Sequence, residues 1–330
     1  MIYLNNAEKT LGKPAAKDLS PVSADYVRGQ LAEIFHIKNK ENIYFGSSGT
    51  EMMEKALRIF LEPEAEQCHV IVTDAEQEDT YRLLKELGAE ISVLKNTSCG
   101  SPDCEELAAL IRTETRAIVC AHGGSAVGNT ADLEQICAIA RRYQLPVISD
   151  GRFTAGAIEV NLENSGVDAY CFSGEKMLMG PEGIGVLCVK ERPDNSFSRK
   201  LSEQENLPQA ERMTLFSAAL EFIGNRSVYS IAMLTHRLAK RFFESASAMD
   251  GVTVHGDFST RERLPIVAIT AEGFSAEEIK AYMKARGIII GTEKHMARFS
   301  FGYFNTRVQV KETVQCLMDM MGIDDPYLLP

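Results

Sequence analysis

The sequence lacks the features that would assign it to a membrane, to nucleic acid or to zinc. No apolar run approaches the roughly 20 residues that a bilayer-spanning helix needs, and Met1 to Leu4 carry no basic stretch typical of a signal peptide. The net charge of −11 argues against a nucleic-acid footprint. Eight cysteines are scattered without a C-x-x-C pair, which gives no zinc motif and favours a reducing compartment. We therefore predict a cytoplasmic protein with no metal and no membrane or nucleic-acid partner.

Strand-like and helix-like segments alternate through the first two-thirds of the chain. This alternation predicts βαβ units around a mainly parallel sheet, an α/β fold. One helix, predicted over 132–143, has apolar residues at helical spacing and either Thr130 or Asp132 as its cap. The apolar strand-like runs are 43–45, 69–73, 90–94, 117–121, 146–149, 169–172 and 185–189.

The last third of the chain has a different organisation. A long helical stretch runs from Pro208 to about Met249, and shorter strands and helices after it predict a small α+β unit. The 330 residues, of which 45% are hydrophobic, are ample for two cores. We predict a large domain over 1–230, with its first segment (1–25) placed against the second domain, and a small C-terminal α+β domain over 231–330.

An acid and an amine follow two neighbouring strands of the predicted sheet. Asp150 comes directly after one buried run, and Lys176 follows the next run along the chain. Residues at the carboxyl ends of neighbouring parallel strands point into the ligand crevice of an open α/β sheet. Pyridoxal phosphate needs such a pair, because a carboxylate holds its pyridine nitrogen protonated and a lysine forms a Schiff base with its aldehyde.

Further motifs around this pair occur in a fixed order over nearly the whole chain. Together they resemble the class V aminotransferase and cysteine desulfurase family of pyridoxal-phosphate enzymes. This resemblance implies an aspartate aminotransferase-like fold (fold type I) and a homodimer with shared active sites. The motifs are Tyr3 to Ala7, Gly46 to Glu51, His122 to Gly128, Asp150 to Gly156, Ser173 to Lys176, Gly180 to Gly185 and Arg298 to Thr306.

The resemblance also implies a role for individual residues. Lys176 becomes the Schiff-base lysine, and Asp150 becomes the partner of the pyridine nitrogen. Arg298 clamps the carboxylate of an amino-acid substrate, since its planar fork matches a carboxylate, and Asn6 of the opening motif lies with it. The cofactor-phosphate contacts are Gly49, Thr50, Ser173 and, offered to the other subunit, Thr214.

Simpler interpretations of these residues stay open. Thr50 also suits a plain helix cap, and Arg298 also suits an ion pair with Glu293. His122 either reaches the site or is a buried structural histidine, and His295 is a candidate proton shuttle.

The chain departs from the family pattern around the cofactor ring. The positions at which the family carries a stacking histidine, an asparagine, a glutamine and a second histidine fall here on Gln77, Ser125, Phe153 and Glu175. In addition, Arg152 occupies a position that usually holds a small residue against the ring. Because a carboxylate near a phosphate is repulsive, we expect Arg152 to offset Glu175.

The loop that bears the nucleophilic cysteine of desulfurases is missing. The segment from Gly287 to Ala297 runs almost directly into Arg298 and contains no cysteine, so persulfide chemistry of the usual kind has no nucleophile. We therefore expect a pyridoxal-phosphate enzyme acting on an amino acid, with transamination favoured. The alternatives are β-elimination, including carbon–sulfur cleavage, and a non-catalytic relative that acts by binding a partner.

Overall fold

The computed structural model describes residues 1–8, 10, 19–61, 68–97, 100–190, 196–258 and 263–328. The strands are β1 (Ile2–Leu4), β2 (Ile43–Gly46), β3 (His69–Thr73), β4 (Glu90–Leu94), β5 (Thr115–Ala121), β6 (Val147–Asp150), β7 (Ala169–Ser173), β8 (Gly185–Val189), β9 (Val252–His255), β10 (Ile266–Ala271), β11 (Ile288–Glu293) and β12 (Met296–Ser300). The helices are α1 (Ala24–Phe35), α2 (Gly49–Leu61), α3 (Glu78–Glu86), α4 (Cys104–Leu110), α5 (Leu133–Arg142), α6 (Leu162–Ser165), α7 (Ser196–Glu203), α8 (Ala210–Arg226), α9 (Val228–Ser247), α10 (Ala276–Ala285) and α11 (Arg307–Met321).

A seven-stranded sheet in the order β2-β8-β7-β6-β5-β3-β4 forms the larger layer. Its β3 to β7 strands pair in parallel, and β8 runs antiparallel to both β7 and β2. Apolar side chains cover both faces: along β5, Ile118 packs in one core and Val119 in the other. Burial on both faces explains why these strands are near-continuous apolar runs in the sequence, and it confirms the predicted mainly parallel α/β architecture.

A second sheet of five strands, in the order β1-β11-β12-β10-β9, has its own apolar core. Strand β1 adds in parallel to β11, while the other pairings are antiparallel. The chain therefore returns its first residues to the sheet built by its last third. None of the described helices combines the length and the apolar character that a bilayer crossing requires.

The predicted helical stretch from Pro208 to Met249 is two helices. Ser227 separates α8 from α9 with a φ of 58°, which no residue within an α-helix has. Its hydroxyl accepts a hydrogen bond from the backbone N–H of Ser230, so it caps the second helix. Of the two caps predicted for α5, Thr130 and Asp132, the structure has Asp132, whose carboxylate accepts a hydrogen bond from the backbone N–H of Gln135 at 2.9 Å.

A buried hydrogen-bond network lies beneath the end of β6. The hydroxyl of Tyr170 is 2.8 Å from His122 Nδ1 and 2.8 Å from Thr154 Oγ1. Burial lowers the pKa of His122 to about 3, so the imidazole is neutral. A Cβ on Gly151 would lie 2.2 Å from the Tyr170 ring, and the ring therefore fits only under a glycine. His122 is thus held in the network, as the structural interpretation expects.

We expect Tyr170→Phe to destabilise the fold by about 1–3 kcal/mol, because it leaves the buried groups of His122 and Thr154 without their partner. Urea unfolding monitored by circular dichroism measures this loss. The matched control is Tyr143→Phe, which removes the hydroxyl of a half-exposed tyrosine. Equal stability of the two variants would contradict a structural role for the network.

Candidate active site

Three parallel strands bring the predicted cofactor residues to one edge of the seven-stranded sheet. Asp150 is the last residue of β6 and pairs with Ala121 of β5 on one side and Cys171 of β7 on the other. Ser173 ends β7, and Lys176 follows three residues later. The carboxyl ends of these strands therefore meet where an α/β sheet binds its ligands.

The amino terminus of α2 lies against the end of β7. The N–H of Gly49 donates to Ser173 Oγ at 3.0 Å, and Thr50 is exposed next to it. A Cβ on Gly49 would lie 2.6 Å from the same oxygen, which explains the glycine at this approach. Unpaired N–H groups and the helix dipole make such a terminus suitable for a phosphate.

The amine of Lys176 is half-buried between an N-terminal carbonyl and an aromatic ring. Its Nζ donates to the backbone oxygen of Glu8 at 2.8 Å and lies 6.0 Å from the centroid of the Phe153 ring. Burial lowers the pKa of this amine, and Arg152 and Arg298 lower it further against the opposing effect of Glu175. A lowered pKa increases the neutral fraction of the amine, the form that acts as nucleophile or base.

Arg152 holds the carboxylate of Asp150, which is only 5% exposed. The backbone N–H of Arg152 donates to Oδ1 at 2.9 Å, and its Nε lies 2.6 Å from Oδ2. The second contact is an ion pair without hydrogen-bond geometry, so no donor of the described residues is directed at Oδ2. Burial raises the pKa of Asp150, and Arg152 opposes that rise. The ion pair of Arg152 is thus with Asp150, and its expected offsetting of the Glu175 charge near a phosphate stays a prediction.

Glu76, a second buried carboxyl group, accompanies Asp150 and was missed by the sequence analysis. It is 8% exposed, and its Oε1 has no hydrogen-bond partner in the part of the chain that the structure describes. Burial and then the charge of Asp150 raise the pKa of Glu76 to about 8, so it is mostly protonated at neutral pH. The available signal was its position: an acid at the carboxyl end of β3, next to Gln77.

Arg298 of β12 is buried and already paired with a carboxylate. Its guanidinium NH1 lies 2.8 Å from Glu293 Oε2 and donates to the backbone oxygen of Ser125 at 3.3 Å. The Ser125 hydroxyl is 3.5 Å from the same Glu293 oxygen. The Nε of Arg298 is buried and has no hydrogen-bond partner among the described residues. Glu293 therefore balances the charge of the guanidinium, whose Nε has an unused hydrogen-bonding capacity.

A tight hairpin replaces the cysteine loop of desulfurases. Only Lys294 and His295 join β11 to β12, and Glu293 pairs with Met296 across the turn. His295 is exposed in that turn and faces His255 edge-on.

Cys99 lies outside the described residues. Burial raises the pKa of six of the other seven cysteines, which keeps them as thiols: Cys104 (to about 11), Cys137 (to about 12), Cys120, Cys171, Cys188 and Cys316.

Four other predicted site residues occupy different surroundings. Asn6 is buried and donates to the backbone oxygen of Ser300 at 2.8 Å, while its Oδ1 has no partner. Thr214 is buried, and its hydroxyl donates to its own helix at Ala210, so its contact with a second subunit stays a prediction. Gln77, at the start of α3, and Glu175, beside Lys176, are both half-buried.

Pyridoxal phosphate fits this site at its phosphate and aldehyde ends. The start of α2 with Ser173 suits the phosphate, and the half-buried amine of Lys176 suits the aldehyde. The Oδ2 of buried Asp150, which accepts no hydrogen bond from the described residues, suits a protonated ring nitrogen. Arg152, at 2.6 Å from that oxygen, stands where the ring nitrogen would donate.

We expect the stability of the protein to fall as the pH rises from about 4.5 to about 8, the pKa values of Glu76 in the unfolded and folded chain. In this interval the folded state keeps a proton that the unfolded chain releases, which costs about 1.4 kcal/mol per pH unit. Glu76→Gln should remove this slope in urea unfolding, whereas Glu78→Gln, at an exposed neighbour, should not. Identical slopes in both variants would contradict the buried acid.

The sequence is similar to those of known cysteine desulfurases. Cysteine desulfurase IscS of Vibrio vulnificus (strain CMCP6) is 25% identical over 372 residues, which cover 99% of this chain and 91% of the relative. A cysteine desulfurase of Yersinia pestis (strain Pestoides F) is 25% identical over 331 residues, which cover 87% and 80%.

Solved structures confirm the predicted fold. The Escherichia coli cysteine desulfurase CsdA superposes with a TM-score of 0.83 at 19% identity, covering 97% of this chain and 94% of that one. The apo cysteine desulfurase of Thermococcus onnurineus NA1 gives a TM-score of 0.83 at 18% identity, with the same coverage. Class V aminotransferases and cysteine desulfurases use pyridoxal 5′-phosphate, which confirms the predicted cofactor for the family. The family model for class-V aminotransferases matches residues 22–313, and the chain therefore belongs to that family.

Proposed function

We propose that this chain is a pyridoxal-phosphate-dependent enzyme that acts on an amino acid, with transamination as its favoured reaction. The observation that carries the proposal is the placement of Asp150 and Lys176 at the ends of adjacent parallel strands. An acid for a ring nitrogen and an amine of lowered pKa thus lie in one crevice. The phosphate would bind at the start of α2, held by Gly49, Thr50 and Ser173.

Each residue has a defined task in this proposal. When bound, pyridoxal phosphate supplies an electron sink for the charge left at the substrate Cα. Lys176 would remove the proton from Cα and, for transamination, deliver it to the carbon that carries the cofactor's aldehyde, because its Nζ is the half-buried amine of the crevice. Arg298 orients the substrate carboxylate through its unpartnered Nε, and Asp150 keeps the ring nitrogen protonated.

The hairpin at Lys294 and His295 supports transamination or elimination over desulfuration. Its two residues are too few to form a cysteine-bearing loop before Arg298. The six cysteines with raised pKa values supply no thiolate at neutral pH. β-Elimination, including carbon–sulfur cleavage, is the second candidate, because it starts with the same removal of the Cα proton.

We further propose a cytoplasmic homodimer in which each subunit completes the site of the other. Thr214 is the residue we assign to the partner's phosphate. We also keep the division into a large domain (1–230) and a small domain (231–330), which the two separate sheets and cores support.

We expect the purified protein to bind pyridoxal phosphate covalently through Lys176. Borohydride reduction followed by peptide mass spectrometry should find the cofactor mass on Lys176, and Lys176→Ala should lose both this adduct and the visible absorption band of the bound cofactor. Lys190→Ala, at a lysine beyond β8, is the control for non-specific labelling.

A panel of amino acids then separates the reactions. Transamination yields more than one equivalent of keto acid per subunit only when a second keto acid accepts the amino group, whereas β-elimination releases ammonia repeatedly without an acceptor. A protein that is never labelled at Lys176, or that is labelled and turns over no amino acid, would contradict the proposed enzyme and favour the non-catalytic alternative.

A further inference from the structure

We propose that Arg152 is a built-in counter-ion of Asp150 and thereby lowers the affinity of the site for phosphorylated pyridines, whose protonated ring nitrogen needs the same carboxylate. The proposal rests on the cofactor site of the proposed function, but not on the reaction carried out there. It follows from the contacts of one arginine with both oxygens of one buried carboxylate.

Arg152 engages the Asp150 carboxylate twice. Its backbone N–H fixes Oδ1 at 2.9 Å, and its guanidinium Nε lies 2.6 Å from Oδ2. The arginine side chain is itself only 16% exposed, so water screens the pair weakly. A carboxylate that is 5% exposed needs such a counter-charge, because an unpaired buried charge is costly.

A protonated ring nitrogen and the Arg152 guanidinium would compete for the negative charge at Oδ2. The backbone amide of Arg152 keeps Oδ1 occupied whatever its side chain does, so Oδ2 is the oxygen left for a ligand. A protonated ring nitrogen at hydrogen-bond distance from Oδ2 would bring a second cation next to the guanidinium, and like charges this close repel strongly in a buried site. Binding of the ring therefore requires the guanidinium to leave Asp150.

Glu76 offers the displaced guanidinium another partner. Its carboxyl group is buried, its Oε1 accepts no hydrogen bond from the described residues, and the charges of Asp150 and Arg152 act on its pKa in opposite directions. When the ring nitrogen takes over Asp150, Arg152 can pair with Glu76 if that group releases its proton. The carboxylates of Asp150 and Glu76 then balance two cations, the ring nitrogen and the Arg152 guanidinium. The contact between Asp150 and Arg152 is lost in this exchange.

Calorimetric titration with two probes tests the exchange. The probes are pyridoxal 5′-phosphate and its 1-deaza analogue, in which CH replaces the ring nitrogen while the aldehyde and phosphate remain. The proteins are the full chain, Arg152→Ala, Arg152→Gln and a control, Arg112→Ala. The control breaks an ion pair with Glu90, the residue that begins β4, at the opposite ends of the strands from the site. No amino-acid substrate is present, so the readout is binding alone.

Arg152→Ala should bind pyridoxal phosphate at least about tenfold more tightly than the unmodified chain, the factor expected for one charge-assisted hydrogen bond regained. The deaza analogue should show no such gain, and Arg112→Ala should change neither affinity. If Arg152→Ala fails to fold, Arg152→Gln, which keeps most of the side-chain volume without its charge, should show the same selective gain.

Three results would overturn the proposal: equal gains for both probes, which would make Arg152 a steric block only; no gain for either; or no binding by any variant. Selective tightening together with a complete lack of amino-acid turnover would instead leave this proposal standing and refute the proposed reaction.

Discussion

The burial of Asp150 at the end of β6 is the constraint on which the site depends. A carboxylate that is 5% exposed must be balanced, and in this chain the neighbouring Arg152 balances it at 2.6 Å. The same strand end fixes the surroundings: Gly151 admits the Tyr170 ring beneath it, and that ring holds His122 and Thr154. Three consecutive residues, Asp150, Gly151 and Arg152, therefore provide the buried carboxylate, the space for the Tyr170 ring and the counter-ion.

Both groups assigned to charged ligands are balanced within the chain. Asp150 pairs with Arg152, and Arg298 pairs with Glu293. Each pair leaves one atom without a hydrogen bond, Oδ2 in the first and Nε in the second. The charges of the crevice are thus balanced without a ligand, while one acceptor and one donor in it make no hydrogen bond. This arrangement makes cofactor binding an exchange of partners and couples it to the protonation of Glu76.

Local patterns predicted the strand ends well, because the buried strands are short apolar runs that stop at polar residues. Strand β3 begins and ends at the predicted residues, and Asp132 caps α5 as expected. The break at Ser227 was missed, since helical periodicity continues across it. The pairing of β11 with β1 joins residues almost the whole chain apart, and no local pattern specifies such a contact. The partners of Arg152 depend on side-chain orientation, which no sequence pattern specifies.

The most direct test of this account is a crystal structure of the protein with pyridoxal phosphate bound. The account predicts the phosphate at the start of α2 beside Ser173, the ring nitrogen at hydrogen-bond distance from Asp150 Oδ2, and the Arg152 guanidinium turned away toward Glu76. A bound cofactor whose ring nitrogen lies away from Asp150, with Arg152 Nε still on Oδ2, would contradict it.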